Sequence, residues 1–102
     1  MKLKNKKYFE QTRWVKMDDV EFEIRPFPFS QHKKIEVMSM LKEQFMYCLV
    51  GWKNILDEKD KPVLCNEDNK LHVFDFYPEI RNFIISEATG VVVDVNEVVG
   101  NL

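Results

Sequence analysis

The hydrophobic and polar positions of this chain change period along its length. Val20, Phe22 and Ile24 alternate with Glu21, Glu23 and Arg25. That period of two belongs to a strand with one buried and one wet face. The preceding run, Tyr8 to Lys16, is rich in Tyr, Phe, Thr, Trp and Val, which suit strands. Met17-Asp18-Asp19 supplies the turn, so residues 8–28 predict a β-hairpin that Pro26 and Pro28 stop or mark as an edge. From Gln31 the period lengthens. Ile35, Met38, Leu41, Phe45, Cys48 and Leu49 recur at helical steps, which predicts an amphipathic helix capped by Ser30 and ending near Val50. Gly51 is the expected C-cap.

Residues 52–65 predict two short strands, Lys53 to Leu56 and Pro62 to Leu64, on either side of a charged turn, Asp57 to Lys61. Asn66 then caps a helix to about Asp75, with Glu67 and Asp68 favouring the positive end of its dipole. Pro78 suits the first turn of another helix, whose stripe is Ile80, Phe83, Ile84 and Ala88 and whose stop is Gly90. In the stretch 91–102, Val91, Val93 and Val95 read as a strand, and Val92, Val95 and Val99 as a helix after a break. The reading leans to the helix. The expected fold is α+β: a β-hairpin packed on a long amphipathic helix, then a strand-turn unit and two or three C-terminal helices, in a single domain over 1–102.

Composition narrows the function more than the fold. The chain has 102 residues, 45% hydrophobic and 31% charged, with a formal charge of -2. This is globular, and it argues against a binder that neutralises nucleic-acid phosphates. The one basic cluster is Lys2, Lys4, Lys6 and Lys7. It reads first as a frayed, solvated segment and second as an arm touching an acidic partner. A Lys-rich start with no apolar run behind it reads as no secretory signal, and no apolar stretch reaches the ~20 residues of a membrane span. A reducing, cytoplasmic place of synthesis with Cys48 and Cys65 free is therefore expected.

Candidate chemistry is sparse. His32, Cys48, Cys65 and His72 lie 16, 17 and 7 positions apart, without the close pairs of a zinc site. The run from Asp57 has Pro62 at the sixth position of a calcium loop, where Gly is needed, and Asp68 at the twelfth. A Cys65–His72 nucleophile would lack an oxyanion hole. With three glycines in all, no phosphate loop is present. The expectation is a non-enzymatic chain with no cofactor and no metal. Trp52 reads first as a core-capping ring and second as an exposed anchor for another protein. Tyr77 has the same two readings, and Asp57 and Glu58 read as a solvated loop or a contact patch.

The ordered set Gly51-Trp52-Lys53, Asp57-Glu58, Lys61-Pro62-Val63, Asn66-x-x-Asn69-Lys70 and Tyr77-Pro78-Glu79-Ile80 resembles a family of small phage- or prophage-encoded tail-assembly chaperones and minor virion structural proteins. The likeness covers about a third of the chain. Arg25-Pro26-Phe27 before the long helix is compatible with it. Asn54 and Lys61 stand where that family usually has Gly, which leaves the turn differently shaped. The resemblance implies a chaperone in the host cytoplasm that shields a tape-measure or tail-tube subunit. Trp52, Asp57, Glu58 and Tyr77 would be its contact residues. The alternatives are a permanent virion component, such as a tail-completion or joining protein, and a small regulatory binder of a host protein. A homo-oligomer through the Tyr8-to-Lys16 edge is also expected.

Overall fold

The computed structural model describes residues 1–27 and 37–90. Its elements are α1 (Lys6–Glu10), β1 (Arg13–Met17), β2 (Val20–Ile24), α2 (Val37–Cys48), β3 (Leu49–Lys53), α3 (Glu67–Phe76) and α4 (Pro78–Thr89). The strands form one antiparallel sheet in the order β1-β2-β3; α2 and α4 pack against it, and α3 packs against those two helices. The fold is α+β. The expected helix start at Ser30 and Gln31, Pro28, and the stretch 91–102 lie outside the described residues.

The hairpin forms, but it begins later than its composition suggests. Tyr8 to Glu10 belong to α1, where the Asn5 side chain accepts from the Lys7 backbone N–H at 2.9 Å and Lys6 pairs with Glu10 at 3.7 Å. Local capping outweighs the strand propensity of Tyr8 and Phe9. Arg13↔Ile24 and Met17↔Val20 are the first and last pairs of β1 with β2, joined through Asp18 and Asp19. Asp18 has φ 55, the positive value that a tight two-residue hairpin loop asks of its first position. Val15, Phe22 and Ile24 are buried on the inner face.

The largest correction concerns Gly51. It is no C-cap: α2 ends at Cys48, and Leu49–Lys53 is the third strand. The carbonyls at the end of α2 find other partners. Lys70 Nζ donates to Met46 O at 2.7 Å, Arg25 Nε donates to Tyr47 O at 2.8 Å, and the Arg25 backbone N–H donates to Cys48 O at 2.9 Å. Two of these donors are cationic, so they also suit the negative end of the helix dipole. With these carbonyls satisfied, the chain passes directly from helix to strand without a left-handed residue. Within β3, Phe22↔Trp52 and Ile24↔Leu49 leave Val50 as an extra residue. This bulge puts Leu49 and Trp52, three apart, on the same inner face. Gly51 makes room for its neighbour, since a Cβ there would lie 3.3 Å from Glu23 Oε1.

The helices contribute Leu41, Phe45 and Cys48 of α2, Val73 and Phe74 of α3, and Ile84 and Ile85 of α4 to the core. Phe45 of α2 and Phe74 of α3 pair at 5.5 Å between centroids, and Phe22 of β2 meets Phe83 of α4 at 6.3 Å. Offset aromatic pairs of this kind add stability beyond the area they bury. Asn66 caps α3 as expected, accepting from the Asn69 N–H at 2.9 Å. Gly90 closes α4 at φ 75, donating its N–H to Ser86 O at 2.8 Å. Arg81 is buried, and its guanidinium donates to Asn82 Oδ1 and Phe74 O.

Candidate functional site

Residues 54–65 form a hooked loop rather than the two expected strands. One bridge, Leu56↔Pro62, closes it, backed by Asp57 N–H to Lys61 O at 2.8 Å and Val63 N–H to Ile55 O at 2.9 Å. Asp57 shapes the tip: its Oδ1 accepts from the backbone N–H groups of Lys59 at 2.8 Å and Lys61 at 3.0 Å. Asp side chains commonly fold turns this way. Asn54 adopts φ 69, a left-handed conformation that Asn tolerates, and its Nδ2 donates to Asp19 O at 2.9 Å. The loop is thereby fastened to the β1–β2 turn. The second left-handed residue is Asp60, at φ 61, and not Lys61.

Between this loop, the β1–β2 turn and the α3–α4 junction lies an open groove of about 720 Å³. Val20, Trp52, Ile55, Val63, Val73 and Ile80 line it with apolar surface. Trp52 is half-buried against the core, and its Nε1 donates to Val63 O at 2.7 Å, which ties the indole to the loop. Leu56 and Tyr77 stand at the lip, 53% and 48% exposed. Tyr77 is there because its backbone joins two helices. Its N–H closes α3 on Val73 O, its carbonyl accepts from the Arg81 N–H of α4, and Pro78 occupies the first position of α4. A second depression of about 350 Å³ shares Val20, Tyr77 and Ile80 and extends to Asp18, Asp19 and Glu79. Tyr77 therefore stands between two halves of one trough.

All four residues singled out in the sequence, Trp52, Asp57, Glu58 and Tyr77, line the larger half. They arrive from β3, the hooked loop and the α3–α4 junction. The order of these segments along the chain is visible, while their convergence is not. Leu56, Ile80 and His72 also line the groove; in the sequence Leu56 reads as part of a strand, Ile80 as part of a helix stripe, and His72 only as a candidate metal ligand or partner of Cys65. His72 packs against Phe76 at 5.0 Å and Tyr77 at 5.9 Å between centroids. Asp57 and Glu58 edge one half and Asp18, Asp19 and Glu79 the other, against one lysine, Lys59. The trough is apolar inside and acidic at its margins.

The thiols are free and set up for packing. Burial pushes the Cys48 thiol from its ordinary 9.0 to about 12, against a smaller downward pull from Arg25 and Lys70. Burial also raises Cys65, with Lys70 opposing it. Thiols held protonated are poor nucleophiles at neutral pH. Burial lowers the Lys70 ammonium, which caps α2. Among the described residues, no three His, Cys, Asp or Glu side chains group as a metal ion would need. No helix among them is long and apolar enough to cross a membrane.

No protein-family model matches this chain, and neither do any curated proteins or solved structures. The geometry alone defines the class: an α+β domain bearing an apolar trough with acidic margins.

Proposed function

We propose that this chain is a non-enzymatic docking protein whose trough receives an apolar segment of another protein. The observation that carries the proposal is the convergence of Trp52, Tyr77 and exposed Leu56 on one groove beside Asp57 and Glu58. A groove with aromatic anchors and a charged border has the anatomy of a protein-binding site. The likeness of residues 51–80 to phage tail-assembly chaperones supplies the specific reading: a tape-measure or tail-tube subunit held in the bacterial host cytoplasm until polymerisation.

The test is a binding titration of the purified chain with the tail subunits of its own gene neighbourhood, with Leu56→Asp beside the native protein. Leu56 is exposed at the lip, so this change spares the core. The expected result is saturable binding that Leu56→Asp weakens at least about tenfold, the effect of losing one buried leucine contact. Equal binding by both proteins, or none by either, refutes the proposal. A permanent virion component would use the same groove, and mass spectrometry of finished particles separates the two: a chaperone is absent from them.

A further inference from the structure

The margins of the trough carry acids that the chain itself leaves without partners. Asp18 and Asp19 come from the β1–β2 turn, Glu58 from the hooked loop and Glu79 from the first turn of α4, and all four are exposed. Among the described residues, none of these four side chains makes an ion pair or a hydrogen bond. Asp57 adds a further negative charge, although its Oδ1 is committed to the loop. Lys59 is the one cation on the same lining. The whole chain carries a formal charge of only -2, so this excess is local. Charges of one sign around a cleft with apolar walls focus their field into it and raise the local concentration of the opposite charge.

The walls bear on the form of the occupant. At the hooked loop, the Val63 N–H donates to Ile55 O and Val63 O accepts from Trp52 Nε1. At the helix junction, the Tyr77 N–H donates to Val73 O and the Tyr77 carbonyl accepts from the Arg81 N–H. At the β1–β2 turn, Asp19 O accepts from Asn54 Nδ2. A peptide that docks as an extra strand draws its affinity from main-chain hydrogen bonds, and these wall groups are already engaged. A helix satisfies its own backbone and needs only side-chain contacts from a groove. At about 720 Å³ the larger half has room for several side chains.

We infer that the trough takes a basic amphipathic helix of a partner protein. The apolar stripe of that helix enters between Leu56, Tyr77 and Ile80, and Lys or Arg residues beside the stripe face Asp18, Asp19, Glu58 and Glu79. The apolar contacts supply most of the affinity, and the acids select: an acidic or neutral helix with the same stripe meets repulsion or no steering at the margins. This rests on the trough being a docking surface, as proposed above, and adds what kind of segment docks there.

Three labelled synthetic peptides of about 18 residues, long enough to hold a helix, test it by fluorescence anisotropy. The first sets Leu at helical spacing among Lys. The second has Glu in place of every Lys, and the third keeps the first composition but breaks the spacing. The neutralised variant is Asp18→Asn, Asp19→Asn, Glu58→Gln and Glu79→Gln. It leaves Asp57 to fold its loop, and Asn tolerates the φ 55 found at Asp18. Circular dichroism checks that it folds. The native chain should bind the first peptide at least about tenfold more tightly than the other two. Neutralisation should weaken that binding about tenfold and flatten its dependence on salt. Leu56→Ser, which changes no charge, should weaken it as well and reports on the docking surface itself. Binding that ignores peptide charge or spacing overturns the inference. So does binding that the neutralised variant keeps or gains, as it would if a basic segment of this chain already sat on the acids. If only Leu56→Ser weakens binding, the docking proposal stands and the basic helix falls; if neither change does, both fall. A native chain that self-associates in sedimentation velocity, where the neutralised variant stays monomeric, gives the trough to a second copy and overturns the inference too. No binding of the first peptide also overturns it, and the tail-subunit titration then decides the docking proposal alone.

Discussion

Cys48 makes the fold sensitive to alkaline pH in a way that can be worked out from its surroundings. The side chain is fully buried beneath the end of α2, and burial raises its thiol from 9.0 to about 12. In the unfolded chain the thiol ionises near its ordinary value. Between the two values the unfolded state has lost a proton that the folded state keeps. Stability from this group is therefore complete below pH 9 and falls as pH rises towards 12. The slope approaches about 1.4 kcal/mol per pH unit, so from about pH 8 to about pH 10.5 the loss is about 2 kcal/mol. Lys70 acts in the opposite sense. Its ammonium is disfavoured on folding, so stability from it rises as pH climbs to its ordinary 10.5. Cys65 acts in the same sense as Cys48. A Cys48→Ala variant keeps both groups and removes the Cys48 contribution, along with the minor upward pull of Cys48 on the Lys70 ammonium. The small cavity should cost it about 1–2 kcal/mol at neutral pH. Urea unfolding of both proteins under reductant, followed by circular dichroism, should show the variant's deficit shrinking by about 2 kcal/mol by about pH 10.5. Parallel profiles for the two proteins would refute the reasoning, because the thiol would then be as hydrated in the folded state as in the unfolded one.

Further changes address the joints that hold the trough. Lys70→Met removes a cationic donor from the end of α2 and should cost about 1–2 kcal/mol in urea unfolding, the hydrogen bond being offset in part by the relief of a half-buried charge. Asn54→Ala puts an ordinary side chain at φ 69 and cuts the tie to Asp19 O, for an expected loss of about 2 kcal/mol, while Asn54→Gly should lose only the tie. Trp52→Phe keeps a ring in the groove but leaves Val63 O without its 2.7 Å donor, lowering stability by about 1–2 kcal/mol and loosening the hooked loop, which amide exchange at Val63 reads directly. Gly90→Ala has open space around the new Cβ, so its cost of about 1 kcal/mol in thermal unfolding would come from the left-handed backbone alone.

Much of the fold is legible wherever a local signal has a local cause. The alternation from Val20 to Arg25 becomes β2, Asn66 caps α3 through its own side chain, Pro78 opens α4 and Gly90 closes it. The failures share one feature. Gly51 looks like a helix stop because the donors that finish α2 come from Arg25 and Lys70, which are 22 and 24 residues from the carbonyls they serve. The third strand is hidden because its bulge at Val50 breaks the period of two. Tyr8 and Phe9 read as strand until Asn5 and Glu10 are seen to hold a helical turn.

The trough follows the same division. Its parts are present in sequence order: an aromatic within β3, a loop folded by Asp57, and a tyrosine between two helices. These are settled by short-range hydrogen bonding and chain stiffness, which a sequence displays directly. Their meeting depends on contacts made across the chain. Asn54 reaches back to the β1–β2 turn, Trp52 reaches forward to Val63, and β3 lies beside β2 because cations from elsewhere free α2 to run into it. Secondary structure here is written mostly in neighbouring residues. The site is decided by long-range hydrogen bonds and packing, which appear only when the sheet and helices close on one another.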